Sequence, residues 1–236
     1  KKTDKIFFKL CEDHGNEKVE LHFHTDESSR CGKVPAKDGV RMYIEQGYAG
    51  LAVTDHSVNM PAGKKAGEDI CSRFLEGWRL AKETAESAGS GFQVYLGMEI
   101  RFPHDENDFL VYGMTEEFLE NPWIYEKELP DLYQIAEKEG LTIIQAHPFR
   151  SVCFPADPEC LHGIEIFNGN PRHDSHNDLA RAWQNRQGFP VLQARISISA
   201  GSGQLLRRIE KLPGDGQELA EVIRQGRFTR EIFRGI

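Results

Sequence analysis

Two histidines one residue apart, in Val19-Glu20-Leu21-His22-Phe23-His24-Thr25, are the first residues of this chain that could do chemistry. In an extended strand, side chains two apart share a face. His22 and His24 are therefore expected to point the same way, with Leu21 and Phe23 on an opposite, apolar face packed into the protein. Two imidazoles converging at a strand end suit a zinc-like cation, because imidazole is the commonest protein ligand for such metals. A solvated strand face would carry the same pair, so the reading depends on what else the chain supplies. It supplies Asp55-His56, Glu99, His147 and Asn168, each after a short apolar run.

Those runs predict strands over Val19–His24, Gly50–Thr54, Gln93–Ile100, Asp108–Gly113, Leu141–Ala146, Gly163–Phe167 and Pro190–Ile198. Helices are expected over Asp38–Gln46, Glu68–Ser87, Asp131–Glu139, Ser175–Arg186 and Gln217–Gln225. Glycine closes several of them, as in Glu45-Gln46-Gly47, Lys138-Glu139-Gly140 and Arg186-Gln187-Gly188. The β-then-α alternation predicts an α/β fold with a parallel sheet and crossover helices. Seven such strands favour a closed or nearly closed barrel, with an open doubly wound sheet as the alternative. The candidate ligands sit at the carboxyl ends of their strands, where an α/β barrel builds its active site.

The 236 residues can bury a full core, and no repeat or linker divides them, so a single domain over 1–236 is expected. The net charge of −8 argues against general nucleic-acid binding but leaves room for a local basic pocket. No apolar run reaches the ~20 residues that span a bilayer. The start, Lys1-Lys2-Thr3-Asp4-Lys5-Ile6-Phe7-Phe8, is too poor in apolar residues for a signal peptide. Cys11, Cys31, Cys71, Cys153 and Cys160 form no C-x-x-C pair and read as reduced thiols of a cytoplasmic protein. Cys31 stands apart because it follows His24 by only seven residues. Oligomeric state has no signal.

Taken in order, His22-x-His24, Thr54-Asp55-His56, Gly97-Met98-Glu99 and His147-Pro148-Phe149 resemble the PHP family, the polymerase and histidinol phosphatase superfamily. The likeness runs from about Glu20 to Phe228 within a motif-bearing region of 19–228. Further markers are Glu165-Ile166-Phe167-Asn168-Gly169-Asn170 and Ile223-Arg224-Gln225-Gly226-Arg227-Phe228. The resemblance implies a distorted (β/α)7 TIM-like barrel with a two- or three-metal site. With the departures described below, one to three divalent ions are expected, and histidine with carboxylate ligands suits zinc, manganese or iron. The resemblance also implies hydrolysis of a small phosphomonoester or nucleotide by metal-activated water. Two ions can hold the attacking and leaving oxygens together. Carried over, Glu99 matches the bridging carboxylate, and His22 and His24 match ligands of one metal. His147 matches a ligand of its neighbour and His56 a ligand of a third. Asp55 and Glu99 become the catalytic carboxylates, Asp55 in an orienting, hydrogen-bonding role.

Asp108 opens the fourth strand, where much of the family has a histidine. It reads as a carboxylate ligand or as a turn-capping residue. His104, in Pro103-His104-Asp105, competes for that role from an exposed loop. Arg150 and Arg172 can each fork onto a substrate phosphate or stand as surface arginines. His173 and His176 read as solvated or ligating residues at a helix start. The chain departs from the family at the seventh strand, where Leu192-Gln193-Ala194-Arg195-Ile196-Ser197-Ile198-Ser199 supplies neither the aspartate nor the histidine the pattern asks for. Before the first helix, Ser28, Ser29, Arg30 and Cys31 replace the usual ligand, with Asp26 and Glu27 just ahead. A rearranged loop could recruit Cys31 or Asp26. The alternative function is therefore a catalytically impaired barrel that binds metal or a partner. An amidohydrolase also begins with paired histidines, but the later lysine or histidines it needs are missing.

Overall fold

The computed structural model describes residues 17–57, 70–119, 127–188, 191–192, 207–209, 211–227 and 229–230. Its elements are β1 (Glu17–Phe23), α1 (Ala36–Glu45), β2 (Gly50–Val53), α2 (Ile70–Ala88), β3 (Gln93–Ile100), β4 (Phe109–Tyr112), α3 (Glu116–Leu119), α4 (Leu129–Glu139), β5 (Thr142–Gln145), β6 (Gly163–Glu165), α5 (Asn177–Gln187), β7 (Val191–Leu192), β8 (Arg207–Ile209), α6 (Gly216–Arg224) and β9 (Thr229–Arg230). The strands form one sheet in the order β7-β6-β5-β4-β3-β2-β1-β8-β9. Strands β1, β2 and β3 are parallel, as are β5, β6 and β7. Strand β4 runs antiparallel to both neighbours. The all-parallel expectation fails there because only residues 101–108 join β3 to β4, and a parallel return needs a crossover of about a dozen residues or more.

The sheet is strongly curled. His22 on β1 lies 3.0 Å from Glu165 on β6, although the two strands are five places apart in the sheet. A flat sheet would separate them by about 24 Å, at ~4.8 Å per strand. The fold is thus mixed α/β with a curled sheet. Among the described residues β7 and β9 end the strand order and do not pair with each other, so closure into a seven-stranded barrel is not displayed. Most of the expected seventh strand (Gln193–Ile198) lies outside the described residues.

Curling divides the core in two. Phe23, Val40, Tyr43, Phe74, Leu75, Met98, Leu132 and Ile143 fill the layer between sheet and outer helices. Val19, Leu21, Ala52, Leu110, Tyr112 and Ile144 fill the inside together with Leu219, Ala220, Val222 and Ile223 of α6. The Tyr95 hydroxyl donates to the Pro213 carbonyl and the Thr142 hydroxyl to the Ala220 carbonyl, each 2.8 Å. Both residues begin or nearly begin their strands, so α6 plugs the end of the curl opposite the strand carboxyl ends.

Leu21 and Phe23 do not share a face, contrary to simple alternation. Leu21 belongs to the inner cluster and Phe23 to the outer one. The cause is a break in β1–β2 register between Glu20 and Phe23, where one extra residue bends the strand. The buried Glu20 carboxylate fills the break. Its Oε1 accepts from the Leu21 and His22 amides at 2.9 and 3.0 Å, and Oε2 from the Tyr43 hydroxyl at 3.0 Å. Among the described residues no helix is long and apolar enough to cross a membrane.

Candidate metal centre

Glu99, near the end of β3, is 1% exposed and stands at the middle of four imidazoles. His22 and His147 approach its Oε1 with their Nε2 atoms, at 3.5 and 3.2 Å. His24 and His56 approach its Oε2 with Nε2, both at 3.0 Å. Each carboxylate oxygen therefore faces two imidazoles. His22 and His24 also bring their Nε2 atoms within 3.0 Å of each other. Backbone pairing fixes the centre, since Glu99 N donates to the Asp55 carbonyl and Ser57 N to the Glu99 carbonyl, both 3.0 Å.

Two further buried carboxylates hold the imidazoles in place. Glu165 Oε1 contacts His22 Nδ1 at 3.0 Å, while Oε2 accepts from the His147 amide at 2.8 Å and the Asn168 side chain at 3.0 Å. A carboxylate can only accept, so His22 Nδ1 carries a proton and Nε2 is the ring atom aimed at the cluster. His147 has a φ of 27°, a backbone region few residues with a side chain adopt, and the Glu165 contact to its amide helps fix it there. Asp55 accepts from Thr25 N, Thr25 Oγ1 and Ser29 Oγ at 2.7–2.8 Å. Ser29 Oγ also accepts from the His56 amide at 2.9 Å, and Ser28 Oγ bonds Arg73 O and Gly77 N on α2. These serines brace the site.

The electrostatics follow from burial and from Glu99. Burial depresses His22, but the Glu165 and Glu99 carboxylates outweigh it and raise its pKa to about 10. Burial likewise opposes His147, yet the Cys153 sulfur with Glu99 and Glu165 lift it to about 9. His56 rises well above its ordinary value, with Glu99 and Cys31 overcoming burial. For His24 burial prevails, helped by the neighbouring His56 and His22 charges, and the pKa falls to about 4. Burial would raise Glu99, but the surrounding imidazoles hold it well below the usual carboxylate range. Burial raises Asp55 to about 7 against its hydroxyl donors.

The donor set suits divalent ions. His22, His24 and Glu99 offer ligand atoms within 4.8 Å of one another, as do His56, Glu99 and Asp108. His24 Nδ1 and His56 Nδ1 are buried with no hydrogen-bond partner among the described residues. Cations there would replace the protons that otherwise balance Glu99 and Glu165.

Asp108 lies 3.8 Å from His147 Nε2, but its carboxylate is already engaged. Arg101 holds it bidentately through Nε and Nη2, both at 2.8 Å, and Arg150 Nη2 adds a contact at 3.0 Å. Arg150, Arg172, Lys33, His173 and Asn170 line a cavity of about 50 Å³ whose floor is His24, His56, Glu99 and His147. Arg172 donates to the Cys31 carbonyl at 3.1 Å. The structure thus gathers His22, His24, His56, Glu99 and His147. It places Asp55 behind them, Asp108 beside them under an arginine clamp, and Arg150 and Arg172 at the mouth. His104 is in an exposed loop and His176 is the residue before α5. Sequence reasoning missed Glu165 and Arg101 as parts of the site. Glu165 had a signal, a lone acid inside the apolar run Gly163-Ile164-Glu165-Ile166-Phe167.

No curated protein matches this chain. Among solved structures, it resembles a two-domain protein from Bacteroides vulgatus ATCC 8482 containing a predicted PHP-like metal-dependent phosphoesterase. The TM-score is 0.67 at 19% identity over 92% of this chain and 65% of that one, so the chain spans just under two thirds of that protein. A protein from Bifidobacterium adolescentis ATCC 15703 assigned as a metal-dependent phosphoesterase aligns with a TM-score of 0.51 at 15% identity, over 87% of this chain and 96% of that one. Endonuclease Q, solved with a 27-mer duplex bearing an abasic lesion, aligns with a TM-score of 0.56 at 13% identity, over 89% of this chain and 56% of that one. At these identities the likeness is one of fold. The PHP domain profile matches residues 20–202, most of the 236, and the chain belongs to the PHP domain family.

Proposed function

We propose that this protein is a metal-dependent phosphoesterase acting on a small phosphomonoester or nucleotide, and that the curled sheet is one domain that closes as the family's distorted (β/α)7 barrel. The observation carrying this reading is Glu99, with two imidazoles on each carboxylate oxygen at 3.0–3.5 Å. A carboxylate so placed can bridge two ions. His22, His24, His56, His147 and Glu99 would hold zinc, manganese or iron. Bound there, the ions would acidify water and neutralise charge on the phosphoryl group. Asp55 orients the turn that follows His24, through Thr25 and Ser29, and Ser29 in turn holds the His56 amide. Arg150 and Arg172 meet the phosphate oxygens, with Lys33 adding positive charge at the mouth. Asp108 keeps the Arg150 fork aimed across the cavity.

A second reading, a barrel that binds metal without catalysis, is favoured by that same clamp. Arg101 and Arg150 neutralise Asp108 and take it from the donor set. One assay separates the two. Purified protein supplied with Mn²⁺ or Zn²⁺ should turn over a phosphomonoester panel. His22→Ala should lower the rate by roughly 10²–10³-fold, the several kcal/mol a metal supplies. No metal-stimulated turnover of any phosphate ester would leave the non-catalytic reading standing.

A further inference from the structure

The mouth of the cluster carries a sulfur that the Glu99 arrangement does not use. Cys31 sits in the turn 25–34, which folds back tightly. Asp26 N donates to the Val34 carbonyl at 3.2 Å, Ser29 N to the Thr25 carbonyl at 3.1 Å, and Gly32 N to the Ser29 carbonyl at 3.1 Å. A side chain at position 32 would lie 2.0 Å from the Thr25 carbonyl oxygen, so only glycine permits this closeness. Arg172 ties down the Cys31 carbonyl from the other side of the cavity. The turn thereby lays a free, half-buried cysteine over the imidazoles of His24 and His56.

One donor atom from each of His24, Cys31 and His56 lies within 4.8 Å of the other two. The His24 and His56 rings stack with centroids 4.8 Å apart and planes 5° apart. His24 is 6% exposed, and both rings bury an Nδ1 that has no hydrogen-bond partner among the described residues. A buried polar atom without a partner costs about 1–3 kcal/mol, and in a native protein it calls for an explanation such as a bound ion. Ligand atoms around a tetrahedral zinc lie roughly 3.6 Å apart at the usual Zn–N and Zn–S lengths. These three groups need to draw together by little more than about 1 Å.

We infer that Cys31 is a metal ligand, which with His24 and His56 holds an ion at the cavity-facing edge of the Glu99 cluster. The inference rests on the metal-centre reading and decides which metals that centre takes. Two imidazoles and a thiolate leave one position open to the cavity, the composition of a catalytic rather than a closed structural zinc site. The thiol gives its proton to solvent as the ion binds. A thiolate selects zinc or iron(II) over the harder manganese and magnesium, and it makes the outermost ion the one that oxidation of Cys31 would release.

Cobalt(II) loading of the full chain tests this without relying on turnover. The wild-type protein should show a thiolate-to-cobalt charge-transfer band in the near ultraviolet beside the visible ligand-field bands. Cys31→Ser should keep its circular dichroism, lose the charge-transfer band and bind about one ion fewer. In competition, its preference for zinc over manganese should drop by at least ~10-fold. A wild-type spectrum with ligand-field bands but no charge-transfer band, or a band that survives in Cys31→Ser, would overturn the assignment and leave the Glu99 centre intact. Failure to bind any cobalt would overturn both.

Discussion

Glu165 shows how much of a metal centre lies in residues that need not touch a metal. Its two oxygens reach two histidines, His22 on β1 through a ring nitrogen and His147 in the turn after β5 through its backbone amide. Removing its charge should leave His22 free to rotate and His147 free to leave its strained backbone. Burial would raise the Glu165 carboxyl, but His22 and His147 hold it below the ordinary range, so it is charged when it does this. Glu165→Gln is nearly isosteric and should fold. Metal affinity, read by isothermal titration, should fall by about 10–100-fold, as for other residues that orient metal ligands. Unchanged affinity would mean that Glu165 is a packing residue. The sequence exposed His22, His24, His56, Glu99 and His147 because their types and order are distinctive. It could not expose the Arg101 clamp, since Arg101 meets Asp108 only once the β3–β4 connection folds back. Asp108 looked like a donor because a sequence shows a carboxylate but not its partners.

At the scale of elements, the site depends on how closely α2 presses against the turn after β1. Gly77 is the contact. Its amide donates to Ser28 Oγ at 3.1 Å, and a Cβ there would meet Thr25 Oγ1 at 2.0 Å and Asp55 Oδ2 at 2.9 Å. Thr25 cannot step aside, because Asp55 holds both its amide and its hydroxyl. Gly77→Ala sets two effects against each other. Alanine favours helix by about 1 kcal/mol, whereas forcing a methyl into a filled contact costs about 1–3 kcal/mol. With an essentially immovable neighbour at 2.0 Å, the clash should win. Urea unfolding should show a lower midpoint at unchanged slope, and the same variant should bind metal more weakly as Asp55 and Thr25 shift. A stabilised Gly77→Ala protein would show that α2 is not pressed against the site. Element types were largely legible in the chain. Gln93–Ile100 is matched residue for residue, and Gly140 and Gly188 close α4 and α5 in the left-handed conformation. The antiparallel β4 and the break in β1 were not, because both come from pairing between strands rather than from local pattern.

At the scale of the whole molecule, the centre is a clasp on a curled sheet. Its ligands come from β1 and the residue after it, the turn after β2, the end of β3 and the turn after β5, segments far apart in the chain. Strands β1, β2 and β3 are neighbours in the sheet, and the curl brings Glu165 of β6 round to His22. An ion that all these ligands hold can bind the folded chain and not the unfolded one. Such an ion stabilises by about 2.7 kcal/mol at a free concentration 100 times its Kd. For a chain of this size each kcal/mol moves Tm by roughly 2–4 °C, so saturating metal should raise Tm by roughly 5–11 °C over chelator-treated protein. Without metal the fold should persist, because imidazoles that keep their protons balance Glu99 and the two apolar clusters do not involve the site. Far-ultraviolet circular dichroism of the chelated protein should therefore match that of the loaded one, with only the melting temperature shifted. Equal melting temperatures with and without saturating zinc would show that the fold brings these imidazoles together without making them hold an ion.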